Sequence, residues 1–316
     1  MKIRSLAIAG LFILSVASTL ATTLTENFAP DPLQNGWKIF GNTNLFHWNA
    51  ANQNVEVTWD STNQNSYLYH PLGTVLTRDD AFSLSFDLQL NDVVAFNYGQ
   101  ELAIGLFNLS DATNASFSRS GGVAPNLFEL DYFPDTGFGD SIDATLIDTN
   151  IGYTYFYFAY DNRTLEPGIT YQITLTHDAG ATNLTGEIFT NGVLFTALPL
   201  VYAGPITDFR LDTLSISSYQ DDGFGDSVLA HGVVDNFSVT LPPPAVQNFS
   251  GQLQGGQWQV QFLSRTNWVY ALERSTDLQH WTEVVTDIPG TGTNLNASDT
   301  APPTDQSFYR LRAERP

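Results

Sequence analysis

The stretch Phe82-Ser-Leu-Ser-Phe-Asp-Leu-Gln-Leu90 constrains this chain more than any other. Phe82, Leu84, Phe86, Leu88 and Leu90 alternate with Ser83, Ser85, Asp87 and Gln89. Successive side chains of an extended strand point to opposite faces, so the pattern specifies a strand with one buried and one wetted side. A helix would scatter the same residues around its circumference. Runs 54–59, 102–107 and 169–176 behave similarly, separated by Gly, Asn, Asp and Pro clusters. Asn191-Gly192 sits between two strand-like runs and predicts a tight hairpin. No segment shows the period of an amphipathic helix. The expected class is therefore all-β, with the strands arranged as a two-sheet sandwich.

The chain opens Met1-Lys2-Ile3-Arg4, runs apolar over 6–16 and ends that stretch in small residues at 17–21. A basic start, an apolar run too short to span a bilayer and a small-residue exit describe a secretory leader over 1–21. The expected location is secreted or cell-surface, extracellular or periplasmic, with no membrane insertion. Leu241-Pro-Pro-Pro-Ala245 reads as a stiff, extended linker. It divides a β-sandwich over 22–240 from a small C-terminal β-sandwich module over 246–316, whose Trp258, Trp268 and Trp281 are expected in or near its core. There is no cysteine. A chain of this length can bury a sufficient core without disulfides. The net charge is −21, and the leader holds two of the 12 basic residues, so the remainder is more acidic still. That balance argues against nucleic acid or an anionic membrane as partner.

The acids are not spread evenly. Glu129-Leu-Asp131-Tyr-Phe133-Pro-Asp135-Thr-Gly-Phe-Gly-Asp140 carries four carboxylates in twelve residues. Alternation on an extended segment puts Glu129, Asp131 and Phe133 on one side. Pro134 then turns the chain, and Gly137 and Gly139 let it fold back, which can bring Asp135 and Asp140 toward Asp131. Calcium takes six to eight hard oxygen ligands from such loops; the alternative is a polar turn with solvated acids. The pentapeptide Gly137-Phe-Gly-Asp-Ser141 recurs as Gly223-Phe-Gly-Asp-Ser227, and the alternative there is two similar turns.

This segment resembles the metal-binding loop of legume-type, concanavalin A-like lectins: an acid, then Asp, an aromatic, Pro and a terminal Gly-Asp at matching spacing. The resemblance implies a concanavalin A-like jelly-roll sandwich in which Asp131, the Phe133 carbonyl, Asp135 and Asp140 bind calcium. Glu129, Asp131 and Asp140 would correspond to ligands of a neighbouring transition metal. The family's histidine for that metal is Thr145 here, which leaves the second site incomplete. The wider chain resembles exported bacterial proteins that join such a sandwich to a proline linker and a small β-module, on Asp131–Asp135, 229–236 and 307–312. Glu26-Asn-Phe28 and Val234-Asp235-Asn236 resemble the paired ends of jelly-roll carbohydrate-binding modules, which implies a second metal at Glu26 and Asp235. Asp226 within the repeated pentapeptide and Asp222 just before it are further candidate metal ligands.

Laminarinase-type glycoside hydrolases share this sandwich and place a second Glu after Glu-x-Asp; Phe133 and Pro134 stand there instead. Asp135 lies about 20 Å from Glu129 on an extended strand, whereas retaining hydrolysis needs carboxyls about 5–5.5 Å apart. The chain is therefore expected not to be an enzyme of that type. The aromatic run 152–160 predicts a strand with Tyr153, Tyr155 and Tyr157 on one face, either a sugar-stacking platform or a face covered by other segments. The leading expectation is a non-catalytic carbohydrate-binding protein with a calcium-stabilised loop, acting on carbohydrate or cell-surface polysaccharide. The alternatives are a structural or adhesive surface protein without a specific sugar site, and an atypical polysaccharide-degrading enzyme.

Overall fold

The computed structural model describes residues 22–96, 101–119, 124–150, 156–220, 227–303 and 306–316. The leader expected over 1–21 lies outside them. Among the described residues the chain is nearly all β, as the alternation predicts. Two eight-stranded antiparallel sheets face each other. The first runs Val193–Ala197, Thr185–Thr190, Thr170–His177, Phe82–Phe96, Ser227–Leu241, Asn54–Asp60 and Phe46–Asn49, with Thr22–Glu26 also pairing Ser227–Leu241. The second runs Leu200–Ala203, Phe156–Asp161, Ser141–Ile147, Leu127–Phe133, Leu102–Phe107, Leu211–Ser218, Ser66–Leu76 and Lys38–Phe40.

The core forms where the sequence period places it. Phe82, Leu84, Phe86, Leu88 and Leu90 are all buried and pack into one cluster with Phe128, Leu130 and Ile216 of the second sheet. Each such side chain contributes about 1.5–3 kcal/mol by leaving water. The hairpin also forms as predicted: Thr190 pairs with Val193, and Asn191 and Gly192 both take positive φ, 51° and 74°. Two left-handed residues in succession match the twist of the flanking strands.

The two sheets differ in what covers them. Phe82–Phe96 alternates buried and half-buried positions through Leu90, whereas Leu102–Phe107 is buried at all six positions. The outer face of the second sheet is roofed by the segment around the short helix Leu109–Ala112, where Tyr67, Phe107, Ala112, Leu127 and Tyr219 form their own cluster. A sheet face sealed in this way can hold polar groups away from water.

Beyond the proline segment, two three-stranded sheets face each other: Gln247–Gln254, Gln257–Leu263 and Asn294–Asp299 against Thr282–Pro289, Val269–Ser275 and Phe308–Glu314. Val260, Phe262, Tyr270 and Leu272 fill the space between them. Trp268 is buried and Trp258, stacked on Tyr309, packs half-buried against the core, both as expected, whereas Trp281 lies near the surface beneath Arg310.

Candidate functional site

The acidic strand Leu127–Phe133 alternates strictly. Phe128, Leu130 and Tyr132 enter the main core, so Glu129 and Asp131 point to the outer, roofed face. Gly105 lies directly opposite Glu129, and a Cβ there would come within 2.3 Å of the Phe128 carbonyl and 2.4 Å of the Glu129 Cβ. Only glycine allows that approach.

Into this face the roof delivers one arginine. The Arg119 Nε–H donates to Glu129 Oε1 at 2.5 Å, and its Nη2 donates to Asp131 Oδ2 at 2.8 Å. Glu101 stands 3.5 Å from the same Nε. The Tyr219 hydroxyl donates to Glu129 Oε2 at 2.8 Å and the Thr145 hydroxyl to Asp131 Oδ2 at 2.6 Å. Asp143 faces Asp131 across the strand pair and accepts from the Ser141 hydroxyl. Within this cluster Asp131 Oδ1 is buried without a partner.

Three carboxylates thus share one buried guanidinium, with Asp143 across the strand pair as a fourth acid nearby. Burial alone would pull Arg119 down; Asp131, Glu129 and Glu101 outweigh it and hold the side chain charged, well above its ordinary value. One cation cannot neutralise all its neighbours. Burial, followed by the charge of Asp131, pushes Glu129 up against the pull of Arg119. Burial together with Asp131 and Glu101 pushes the Asp143 carboxyl up to about 7, opposed by Ser141 and Arg119.

Past Phe133 the chain leaves the sheet and closes a turn with its own hydrogen bonds. Gly137 N–H donates to Asp135 Oδ1 at 2.7 Å, and the Thr136 N–H and hydroxyl both donate to the Gly139 carbonyl at 3.0 and 2.7 Å. Gly137 and Gly139 take φ of 77° and 110°, values that a side chain would strain. At the tip Phe138 is 89% exposed. Asp140 turns away from Asp131: its Oδ2 accepts from the hydroxyl of Tyr132, which belongs to the opposite face of the strand.

Asp131, Asp135 and Asp140 do not converge. Asp131 serves Arg119 and Thr145, Asp135 closes its own turn, and Asp140 serves Tyr132. Among the described residues no group of three or more acidic or histidine side chains is arranged to hold a metal ion. The residues as placed do not fit the ligand set that the lectin resemblance implies, and a guanidinium stands between Glu129 and Asp131. The second candidate pair is Glu26 and Asp235. Glu26 accepts from Phe28 N–H at 2.7 Å, Asn35 Nδ2 at 2.7 Å and Trp37 Nε1 at 3.1 Å, which commits both its oxygens. Asp235 lies opposite Asp87 on the neighbouring strand and within electrostatic reach of Glu26, and burial followed by the charges of Asp87 and Glu26 pushes its carboxyl up against the Asn236 N–H.

Asp222, Asp226, Tyr153 and Tyr155 lie outside the described residues. Tyr157 is placed by its backbone, paired with Leu146 and Ala203. Sequence reasoning missed Arg119, Glu101, Asp143 and Tyr219. Two signals were available. Arg119 is the sole basic residue between Arg78 and Arg163, and Ser141, Asp143 and Thr145 alternate with Ile142, Ala144 and Leu146. A separate cleft of about 950 Å3, lined by Leu72, Leu109, Leu241, Trp268 and Arg315, lies between the sandwich and the C-terminal module. It is remote from the acidic turn in character as well as residues, being largely apolar.

No protein-family model matches the chain, and no curated protein matches it. Among solved structures it is similar to the alginate lyase Aly36B, at 11% identity over 69% of this chain and 96% of that one, with a TM-score of 0.42. The Lotus tetragonolobus seed lectin is 11% identical over 71% of this chain and all of its own, TM-score 0.43. Peanut lectin with a bound nonapeptide is 13% identical over 70% and 98%, TM-score 0.40. A likeness at this level carries no argument about what the chain binds.

Proposed function

We propose that this protein binds carbohydrate without catalysis, outside the cytoplasm, and that the turn 135–140 is its contact surface. The observation that carries the reading is Phe138. An 89% exposed phenylalanine adds nothing to the core, yet it is held at the tip of a turn braced by four hydrogen bonds. An aromatic face offered in this way suits stacking on the apolar face of a sugar ring. The partly exposed carboxylates of Asp135 and Asp140 flank it and can accept from sugar hydroxyls. Because the turn is preorganised, binding loses little entropy. The leader-like start of the chain supports an extracellular or periplasmic setting.

A glycan array spanning plant, algal and bacterial polysaccharides tests this directly. Binding by the native protein that falls at least about tenfold in Phe138→Ala, worth about 1.4 kcal/mol, is the expected result. A blank array, or binding indifferent to Phe138, contradicts it.

One observation favours a second reading, a polysaccharide-degrading enzyme. Asp143 is partly exposed with its carboxyl near 7, in reach of the pH range where general acids and bases work. Release of reducing or unsaturated ends from polysaccharide, abolished by Asp143→Asn, would establish it.

A further inference from the structure

We propose that Arg119 is a tethered substitute for a metal ion: it supplies the acidic strand's counter-charge from within, and its removal exposes a divalent-cation site. The proposal does not depend on whether the turn binds sugar.

Glu129 and Asp131 stand two residues apart on one strand, so their carboxylates share a face and repel each other. Both are essentially inaccessible, at 1% and 0% exposure, where water cannot screen them. A buried pair of like charges must either take up a proton or gain a cation. Here the cation comes from the chain. Arg119 is itself 9% exposed and offers two of its N–H groups, one to each carboxylate, with Glu101 on the flank. A guanidinium meets carboxylates as a planar fork at hydrogen-bond distance. A metal would require shorter bonds and more donors around a point.

The surroundings are those of a cation site in other respects. Thr145 supplies a neutral hydroxyl on Asp131, and Tyr219 supplies another on Glu129. Asp131 Oδ1 is buried and unpartnered, a donor atom the guanidinium leaves unused. Glu101, Glu129 and Asp131 reach the cluster from separate positions, so three carboxylates would remain around the vacated space if Arg119 were shortened.

The test compares the full exported chain with Arg119→Gln, which keeps a polar side chain and deletes the charge. Thermal melting is followed in chelator and in excess calcium or manganese. The native protein should melt at the same temperature in all three. Arg119→Gln should melt lower in chelator and recover by about 5 °C or more when either ion is present at ~100 times its dissociation constant. Calorimetric titration should give one ion per chain for the variant and none at this cluster for the native protein. If Arg119→Gln does not fold, it is refolded with and without the ions, and native circular dichroism returning only with an ion supports the proposal. Equal behaviour of the variant with and without ions overturns it, as does a native protein that is itself stabilised by either ion and loses that response in Asp131→Asn.

Discussion

Two of the buried ionic clusters among the described residues have opposite composition. Around Arg119, one guanidinium serves Glu129 and Asp131 directly, with Glu101 close by and Asp143 across the strand pair. Around Asp80 the ratio is reversed. This fully buried carboxylate accepts from Arg265 Nη2 at 2.7 Å, from the Thr77 N–H at 3.0 Å and from both terminal nitrogens of Arg315. Both arginines come from the C-terminal module, and both lie against Trp268. Excess cation fixes an acid in its charged state: burial pushes Asp80 up, but Arg315, Thr77 and Arg265 prevail and hold it below its ordinary value. Excess acid does the opposite, and Glu129 and Asp143 are pushed up. The Asp80 cluster works as a clasp between two parts of the chain. The Arg119 cluster keeps carboxylates close to their titration range.

Breaking each cluster should cost stability in proportion to the charge left unpaired. Arg119→Leu strands three carboxylates in a roofed space, and urea unfolding should show a loss of about 3–5 kcal/mol. A loss under ~1 kcal/mol would mean the cluster is already neutral. Asp80→Ala leaves two arginines that are less buried, so a loss of about 2–4 kcal/mol is expected. It should also speed proteolytic cleavage in the segment 241–245, because the module then keeps only lesser ties such as Arg210 to the Pro316 carbonyl and Asn267 to Asp79. Unchanged cleavage would show that those ties suffice.

The clusters should respond oppositely to acid. Asp143 is raised in the folded state, so between the ordinary carboxylate range and about 7 the native protein holds a proton that the unfolded chain has lost. Stability should therefore fall as pH rises from about 5 to 8, by on the order of a few kcal/mol at most; Glu129 adds with the same sign. Asp143→Asn should flatten that slope. Asp80 is depressed, so its contribution is present above the ordinary carboxylate value and is lost as pH drops below it. Melting temperatures measured from pH 3 to 9 should peak between these limits; a rise from pH 5 to 8 would contradict the assignment. The smallest stability effect belongs to Phe138→Ala, within about 0.5 kcal/mol of the native protein, since the ring touches solvent alone over most of its surface.

The sequence made local features readable and distant ones obscure. Period-two alternation fixed which face of Phe82–Phe96 enters the core, and Asn191-Gly192 fixed a hairpin, because both depend on residues adjacent in the chain. The same logic put Glu129 and Asp131 on one face, and that held. What the motif could not encode was the identity of the cation. Arg119 reaches Asp131 from twelve residues back through a roofing segment with no periodic pattern, and Tyr219 reaches Glu129 from ninety residues on. The convergence expected of Asp140 failed for a local reason: the hydroxyl of Tyr132, on the opposite face, claims its carboxylate. Thr145 in place of a histidine was visible as a missing ligand, and in the structure its hydroxyl completes the arginine-centred network. The Asp80 clasp spans 235 residues to Arg315 and left no trace in composition or spacing.

A crystal structure grown in millimolar calcium and manganese shows whether a guanidinium or a metal ion is the counter-charge of the acidic strand. The expected result is Arg119 within about 3 Å of both Glu129 and Asp131, with no ion between them. An ion coordinated by Asp131 at about 2.1–2.6 Å, with Arg119 displaced toward solvent, would contradict it.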